Sequence, residues 1–328
     1  MEGCKYKLSI IIPMYNSERY IGTCLDSIIS SDLSKEKYEI VVINDGSKDD
    51  SARVAKEYVD KYSNISYLSQ ENQGQSTARN NGIKNCHGEF VWCVDADDKL
   101  DSSKLHLIFE ELKKYKTVEI LAVQLQRVTE SGKKISIECS QPAVTHNVVM
   151  SGRDAVVNGY NPSSICALIA KKSLFMDNEI FFVPGITHQD VELTYRLMPC
   201  AREVIFSDII PYIYINHPNS TSKSINPKKK IKYLSDEILV IQSFKELAER
   251  YEGNDHELYT TIKSHINGMH LGMVLNLFRN KRVWTPLGIN KVVIENMKAK
   301  GYYPLKGNFG SWKKNLLSKV LNIEILIS

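Results

Sequence analysis

Apolar runs and amphipathic segments alternate along the first hundred residues of the chain. Residues 8–12 are an unbroken apolar run, as expected for a strand buried on both faces of a parallel sheet. The next segment carries its apolar residues at helical spacing, from Ile21 to Ile29. The alternation predicts further strands at residues 39–43, 65–68 and 90–94, each followed by a helix. We therefore expect an α/β fold with a mainly parallel sheet flanked by helices, in which ligands bind beyond the carboxyl ends of the strands.

The pattern changes after about residue 105 and again after about residue 225. Between these positions short strands, among them residues 118–126 and 134–138, are separated irregularly by turns. From residue 227 onward the apolar residues recur at helical spacing in two long segments. The pattern predicts three regions with the bounds 1–105, 106–225 and 226–328. The third region is expected to form a helical extension.

Charge and cysteine content argue against several classes of protein. The 42 basic and 38 acidic side chains leave a net charge of +4, too small and too scattered for nucleic acid to be the main partner. The seven cysteines are odd in number and include no CxxC pair, which is typical of reduced thiols in a cytosolic protein. No apolar run approaches the roughly 20 residues that span a bilayer. Because the N-terminus also lacks a signal-peptide pattern, we expect a cytoplasmic protein, soluble or peripheral to the membrane.

The densest polar cluster at a strand end is acidic. Asp95, Asp97 and Asp98 come directly after the predicted strand at residues 90–94. Like charges packed side by side raise one another's pKa, and a divalent cation removes that cost. Carboxylate oxygens are ligands that Mg²⁺ and Mn²⁺ prefer, so the cluster predicts a metal site. The alternative is a solvated acidic turn that caps the following helix.

Two further residues near strand ends suit a nucleotide. Asp45 can accept a hydrogen bond from a base N–H, while Gly46 lets the backbone approach a ligand. The alternative is a plain turn, followed by a helix whose capping box is formed by Ser47 and Asp50. Arg79 offers a rigid donor fork for a phosphate or an acidic neighbour, or is an ordinary surface arginine of a helix. The absence of GxGxxG and GxxxxGK[ST] patterns leaves a dinucleotide or P-loop site without support.

Four segments together resemble the family 2 glycosyltransferases, which have a GT-A-type fold. They are IIPMYN at residues 11–16, VINDGS at 42–47, NQGQSTARNNG at 72–82 and VDADD at 94–98. Their order and spacing are specific to the family, and the resemblance extends more weakly to about residue 222. It implies that residues 1–105 and 106–225 are two halves of one GT-A-type domain. The first half is expected to bind a nucleotide sugar and the second to bind the acceptor.

The resemblance also implies roles for single residues at the nucleoside. Asp45 is expected to contact the base of the donor, with uracil as the leading candidate. Pro13, Tyr15 and Asn16 are expected to line the nucleoside pocket. Arg79 is expected near that pocket, where it helps to order the acidic loop.

At the diphosphate, the resemblance implies a bound Mn²⁺ or Mg²⁺. Asp97 is expected to bind this metal and Asp95 to face the ribose. His217 follows the predicted strand at residues 212–215 and could approach the diphosphate or the metal. The alternative for His217 is a loop histidine with neither role.

The chain departs from the family pattern at two positions. Asn44 stands where the family usually carries aspartate, although Asp45 retains the second acid of that pair. Gln189 stands where the family usually carries glutamate, and a match on Asp190 makes this residue the base that deprotonates the acceptor. Glu192 is a competing candidate for the base, and Asp190 could instead only cap the helix that follows it.

The resulting hypothesis is an inverting transfer of a sugar from a nucleotide-diphosphate donor, with a UDP-sugar as the leading candidate. The implied acceptor is a saccharide or lipid-linked saccharide in the synthesis of a bacterial surface polysaccharide or glycolipid. One alternative is a nucleotidyltransferase, which would need a glycine-rich loop after the first strand. The other is a non-catalytic nucleotide-sugar-binding protein. This alternative stays open because Asn44 and Gln189 depart from the family pattern.

Basic and apolar residues interleave in the C-terminal tail, residues 313–327. Helices that lie in a membrane interface have this pattern, so the tail predicts peripheral membrane contact. The alternative is a helix or strand that docks on the protein's own core.

Overall fold

The computed structural model describes residues 4–217 and 226–323 of the chain. They form two compact units. The first unit comprises the described residues of Met1–Gly185 together with Gln189–His217. The second comprises Ile186–His188 together with the described residues of Pro218–Ser328. Residues 324–327 of the C-terminal tail lie outside the described part of the chain.

The first unit contains two β-sheets. Its strands are β1 (Tyr6–Met14), β2 (Tyr38–Asp45), β3 (Ile65–Gln70), β4 (Gly88–Cys93), β5 (Lys99–Leu100), β6 (Ile120–Ala122), β7 (Leu125–Thr129), β8 (Lys134–Glu138), β9 (Leu168–Lys171), β10 (Val204–Phe206) and β11 (Tyr212–Asn216). The large sheet has the order β10-β6-β9-β4-β1-β2-β3, and the small sheet has the order β5-β11-β7-β8. In the large sheet β9 runs antiparallel to both of its neighbours, and the other four pairs are parallel. The prediction of a mainly parallel sheet is confirmed.

Helices cover both faces of the large sheet. Those of the first unit are α1 (Ile21–Ile29), α2 (Ser51–Lys61), α3 (Gln75–Asn85), α4 (Leu105–Lys114), α5 (Gly152–Val157), α6 (Lys172–Asp177) and α7 (Gln189–Leu197). Successive side chains of a strand point to opposite faces of the sheet. Ile10 of β1 lines an apolar space with Ile28 of α1 and Ile108 of α4, whereas Ile11 lies against Gly82 of α3. The prediction that helices flank the sheet is therefore also confirmed.

Helices are the secondary-structure elements of the second unit within its described residues, and loops connect them. Its helices are α8 (Pro227–Glu249), α9 (His256–Arg279), α10 (Lys281–Trp284), α11 (Ile289–Ala299) and α12 (Trp312–Leu321). The two long helices, α8 and α9, pack on each other and bury apolar residues that include Phe244 and Val274. Within the described residues, none of the helices combines the length and apolarity needed to cross a bilayer.

Two local predictions are wrong. The strand expected at residues 118–126 is two strands, β6 and β7, which belong to different sheets. The capping box expected from Ser47 and Asp50 does not form. Asp50 is the N-cap residue of α2 but makes no side-chain cap bond, and Ser47 Oγ accepts a hydrogen bond from Asn16 N instead.

Gly82 lets α3 pack directly on the large sheet. A Cβ atom at this position would lie 2.4 Å from Ile11 Cγ2 and 2.8 Å from Ile43 Cδ1. Non-bonded carbon atoms ordinarily approach to about 3.5–4.0 Å. Both isoleucines are fully buried, so neither can move aside without disturbing a close-packed core.

We expect Gly82→Ala to lower the free energy of unfolding by about 1–3 kcal/mol, the usual cost of overpacking a core. Urea unfolding followed by circular dichroism measures the change. Gly272→Ala in α9 is the matched control, because a Cβ atom there would meet nothing within 4 Å. Alanine at that helical position should stabilise the protein by about 0.5–1 kcal/mol. Equal effects of the two substitutions would contradict the close approach of α3.

Candidate active site

The carboxyl ends of β1, β2 and β4 lie side by side at one edge of the large sheet. β1 pairs in parallel with both neighbours, so that Met14 lies opposite Asn44 and Ile11 lies opposite Cys93. The loops that leave these three strands carry most of the site residues predicted from the sequence. Parallel pairing therefore brings residues 15–16, 45–46 and 95–98 to a common edge.

Asp45 fixes the loop that leads into α3. Its side chain is buried, and Oδ1 accepts hydrogen bonds from Gln70 Nε2 at 2.7 Å and from Gln73 N at 2.9 Å. Oδ2 accepts from Gly74 N at 2.8 Å. A Cβ atom at Gly46, which has a φ of 73°, would lie 2.9 Å from the backbone of this loop, so a larger residue does not fit. Asp45 thus sets where α3 begins.

The side chain of Asn44 stabilises the turn after β2 through two hydrogen bonds. Its Nδ2 donates to Tyr67 Oη at 2.9 Å, and its Oδ1 accepts from Ser47 N at 3.0 Å. An amide can donate and accept in this way, whereas an ionised aspartate only accepts. The departure from the family pattern at Asn44 therefore has a structural role.

Pro13, Tyr15 and Asn16 line the edge next to the turn at Asn44. Pro13 is buried and lies opposite Ile43 of β2, whereas Tyr15 is 48% exposed. Asn16 has a φ of 49°, and its Oδ1 accepts from Lys48 N at 2.8 Å. Tyr15 thus offers an exposed aromatic ring directly after β1, and a planar ligand could stack on such a ring.

Arg79 joins the acidic loop to α7. Its side chain is only 1% exposed, and it donates from Nη2 to Asp95 Oδ1 at 2.6 Å and from Nη1 to Asp190 Oδ1 at 2.7 Å. The guanidinium also lies over the ring of Phe182, 5.2 Å from its centroid. Arg79 is therefore no surface residue. Its two terminal nitrogens, Nη1 and Nη2, each donate to a different carboxylate, as expected of a residue that orders the acidic loop.

The three carboxylates after β4 converge. Asp95, Asp97 and Asp98 each offer an oxygen that lies within 4.8 Å of the others. Asp97 is the most exposed of the three, with a side chain that is 49% accessible. Partial burial nevertheless raises its pKa, and the negative charge of Asp95 raises it further. A hard divalent cation would relieve this repulsion, and the oxygen ligands fit Mg²⁺ or Mn²⁺.

Asp98 has a different role from its two neighbours. It is 2% exposed, and its oxygens accept hydrogen bonds from Tyr212 Oη at 2.7 Å and from Ile215 N at 2.8 Å. Burial raises its pKa well above the usual range, and the charges of the neighbouring carboxylates add to the shift. Tyr212 Oη also accepts from Asp95 N at 3.1 Å. Asp98 thus ties the acidic loop to β11 and is not free to face a ligand.

His217 lies beside Asp97 at the end of β11. Its Nδ1 is 2.9 Å from Glu130 Oε1, and its Nε2 is 3.7 Å from Asp97 Oδ2. The ring is also 5.0 Å from that of Tyr20. The tautomer that donates from Nδ1 to Glu130 would place an unprotonated Nε2 beside Asp97, an arrangement common for metal-binding histidines.

Asp190 lies in the first turn of α7 and faces Arg79. Its Oδ2 is 3.4 Å from Ile165 N and 3.5 Å from Ser164 Oγ. Burial raises the pKa of Asp190, and this outweighs the opposing effect of Arg79. A raised pKa makes a carboxylate a stronger base.

Glu192 is in a different environment. Its side chain is buried, and Arg196 donates to both of its oxygens, from Nε at 2.5 Å and from Nη2 at 2.7 Å. A bidentate ion pair inside the protein holds Glu192 in place. Both candidates for the base are thus paired with an arginine, and they differ in exposure: the side chain of Asp190 is 25% exposed and that of Glu192 is 2% exposed.

Two glutamines connect Asp190's helix to the acidic loop. Gln189 Nε2 donates to Gln75 Oε1 at 2.7 Å, and Gln75 Nε2 donates to Asp95 Oδ1 at 2.9 Å. Gln189 Oε1 accepts from Ser76 Oγ. Gln189, the second departure from the family pattern, thus belongs to a chain of hydrogen-bonded amides that connects α7 to the acidic loop. Arg79 connects the same two segments through its ion pairs.

Sequence reasoning missed several residues of this site. Gln75 could have been found, because it precedes Arg79 by four residues and must share its face of α3. Tyr212 and Glu130 carry no such signal, since they approach the acidic loop only through the small sheet and its β7–β8 hairpin.

The chain is similar in sequence to known glycosyltransferases. Residues 9–143 match the family described as Glycosyl transferase family 2. The uncharacterized glycosyltransferase YibD of Escherichia coli strain K12 is 29% identical over 228 residues, which cover 66% of this chain and 63% of YibD. The poly(ribitol-phosphate) beta-N-acetylglucosaminyltransferase TarS of Staphylococcus aureus is 29% identical over 178 residues, covering 54% of this chain and 29% of TarS. The chain thus spans less than two thirds of the length of these relatives.

Solved structures share the fold. S. aureus TarS 1–349 in complex with UDP-GlcNAc superimposes with a TM-score of 0.65 at 20% identity, covering 97% of this chain and 88% of the TarS chain. The mannosyltransferase PcManGT from Pyrobaculum calidifontis, in complex with GDP-Man and Mn²⁺, gives a TM-score of 0.57 at 15% identity. That alignment covers 98% of this chain and 88% of PcManGT. These likenesses confirm the GT-A-type fold.

We expect Arg79→Met to lower the free energy of unfolding by about 3–5 kcal/mol, because it leaves two partly buried carboxylates without their cation. Burial raises the pKa of Asp190, so its protonation on acidification removes part of the uncompensated charge, and the loss should be smaller at about pH 5 than at about pH 8. Urea unfolding at both pH values measures it. Arg53→Met is the control, because Arg53 is 61% exposed and its surface ion pairs should contribute nothing measurable. A loss that does not depend on pH would contradict this role of Arg79.

Proposed function

The chain belongs to glycosyl transferase family 2 through residues 9–143, and on that premise we propose that it is an inverting, metal-dependent glycosyltransferase. It moves a sugar from a nucleotide-diphosphate donor to an acceptor hydroxyl. The observation that carries the proposal is one connected set of side chains. Asp97 stands half exposed beside Asp95, and Arg79 links Asp95 to Asp190 through two short ion pairs.

The acidic cluster holds Mn²⁺ or Mg²⁺, with Asp97 as the ligand. An oxygen of Asp95 lies within 4.8 Å of an oxygen of Asp97, and His217 Nε2 lies 3.7 Å from Asp97 Oδ2. When bound, the ion neutralises negative charge that develops on the leaving diphosphate. The position of a hard-cation site beyond the carboxyl end of β4 supports this assignment, as does the Mn²⁺ in the complex of PcManGT.

The nucleoside binds over the ends of β1 and β2, with UDP as the proposed leaving group. A carboxylate has about four acceptor positions, and protein donors fill three at Asp45, so one remains for a base N–H. Pro13, Tyr15 and Asn16 border the base, and Asp95 faces the ribose. The UDP-GlcNAc complex of TarS supports the choice of uracil.

Asp190 is the proposed catalytic base. It takes the proton of the acceptor hydroxyl while the acceptor oxygen bonds to the anomeric carbon and the bond from that carbon to the diphosphate oxygen breaks. Attack from the face opposite the diphosphate inverts the anomeric centre. Arg79 holds Asp190 in place, and the raised pKa of Asp190 suits it to accept a proton.

The remaining assignments follow the same proposal. Residues 1–105 bind the donor, residues 106–225 bind the acceptor, and residues 226–328 form a helical extension. The acceptor is a saccharide or lipid-linked saccharide of a bacterial surface polysaccharide, as the names of relatives such as TarS suggest. The reaction takes place in the cytoplasm, with peripheral contact at the inner face of the plasma membrane.

The donor site is tested by calorimetric titration of UDP with and without Mn²⁺. We expect metal-dependent binding that Asp97→Asn weakens at least about tenfold, since loss of even a residue that orients a metal ligand has that effect. Asp60→Asn, at an exposed position of α2, is the control and should bind as the wild type does. UDP binding that is equally tight without metal would contradict the role of Asp97. If UDP does not bind, GDP and dTDP are the next ligands to titrate.

The base is tested by slow hydrolysis of UDP-sugars, with water in the place of the acceptor. We expect Asp190→Asn to lower the rate about 10²–10⁴-fold, the usual contribution of a general base, while UDP still binds. The amide retains an oxygen for Arg79, so the fold should be preserved. Glu192→Gln should instead reduce thermal stability and leave the chemistry largely unchanged. A wild-type protein that binds UDP but turns over no UDP-sugar would favour a non-catalytic binding protein.

A further inference from the structure

Helix α12 is fixed to the second unit by polar contacts along one face. Asn315 Oδ1 accepts a hydrogen bond from Phe309 N at 2.8 Å. Just after the helix, Asn322 Oδ1 accepts from Leu305 N at 2.6 Å, and its Nδ2 donates to Leu305 O at 3.0 Å. Leu321 on the same face is buried. The orientation of α12 about its own axis is therefore set.

The opposite face of α12 is apolar and exposed. Trp312 is 71% exposed, Leu316 56%, Val320 41% and the following Ile323 52%. At about 3.6 residues per turn these four side chains fall within an arc of roughly 80°. They form a continuous stripe that faces away from the rest of the unit. We call these four residues the outer stripe.

Lysines border the outer stripe on both sides. Lys313 lies next to the stripe on one side and Lys319 on the other, and both are exposed. The wider segment is also basic: residues 296–323 contain six lysines and no aspartate or glutamate. A stripe of this kind between lysines suits a surface that is apolar inside and anionic at its boundary.

We propose that α12 lies in the interface of an anionic bilayer, with the outer stripe among the acyl chains and Lys313 and Lys319 among the lipid phosphates. Aromatic rings such as that of Trp312 favour this boundary. Lysine side chains can keep their amino groups at the phosphates while their methylene groups cover apolar surface. A protein partner would have to supply acidic groups on both sides of an apolar groove, which a bilayer of anionic lipids offers without any specific fit.

The inference deepens the peripheral membrane contact of the proposed function, on which it rests, and its test does not depend on the donor chemistry. Flotation of the full chain with vesicles tests it, using pure phosphatidylcholine and phosphatidylcholine with about 30% phosphatidylglycerol. We expect binding to the anionic vesicles alone, weakened at about 0.5 M salt by screening. Each lysine near an anionic surface contributes about fivefold in affinity, so Lys313→Glu with Lys319→Glu should weaken binding at least about 25-fold.

The apolar contribution is tested by Trp312→Ser with Leu316→Ser, which should abolish flotation without changing the thermal unfolding midpoint. The matched controls are Leu239→Ser on α8, where leucine is 45% exposed, and Lys291→Glu on α11; both should float as the wild type does. Tryptophan emission should shift to the blue on vesicle binding, and the shift should be lost in Trp312→Phe although this variant still floats.

Three results would overturn the proposal. The first is equal binding to neutral and anionic vesicles, or none to either. The second is unchanged flotation of the serine variant. The third is a wild-type oligomer in light scattering that the serine variant converts to monomers, with no flotation of the wild type, because the outer stripe would then be an interface between copies of the chain.

Discussion

The candidate site depends on one buried guanidinium. Asp95 and Asp190 would repel each other if they were brought together alone, and desolvation would add to that cost. Arg79 lies between them and donates to both at 2.6 and 2.7 Å. These two contacts hold together three segments that are far apart in the chain: α3, the loop after β4 and the start of α7. Because the rigid, planar guanidinium of Arg79 makes both contacts, the position of the acidic loop determines the direction of the Asp190 side chain.

The sequence predicted the common edge of the site, because the carboxyl ends of parallel strands necessarily meet there. Asp45 and Asp97 could be assigned to that edge from the pattern of strands alone. The separate role of Asp98 could not be predicted. Asp98 is buried by Tyr212, whose strand joins the small sheet more than a hundred residues later, and no local pattern records this long-range contact. The prediction of one strand at residues 118–126 was wrong because of long-range pairing too. The two halves of this segment pair with strands of different sheets.

The two departures from the family pattern illustrate how an amide differs from a carboxylate. At both Asn44 and Gln189 the side chain donates one hydrogen bond and accepts another, which an ionised acid cannot do. At Gln189 the neutral amide also adds no third negative charge beside Asp95 and Asp190. The sequence left open whether these residues signal lost activity. Their bonds in the structure order the same turn and the same acidic loop that the proposed reaction needs, so the departures are compatible with an intact site.

The sequence of the C-terminal tail did not separate docking on the protein from membrane contact, because one face of α12 docks on the second unit while the opposite face is apolar and exposed. A helix of ten residues is marginal in water and needs tertiary contacts to form. Asn315 and Asn322 supply many of these contacts through the backbone of Phe309 and Leu305, so the outer stripe is not required to hold α12 in place. Apolar residues that the fold does not need, aligned on a fixed helix between lysines, are an exposed patch of the kind that marks an interaction surface. The same polar contacts that dock α12 thus leave its apolar side chains exposed, as the proposed membrane contact requires.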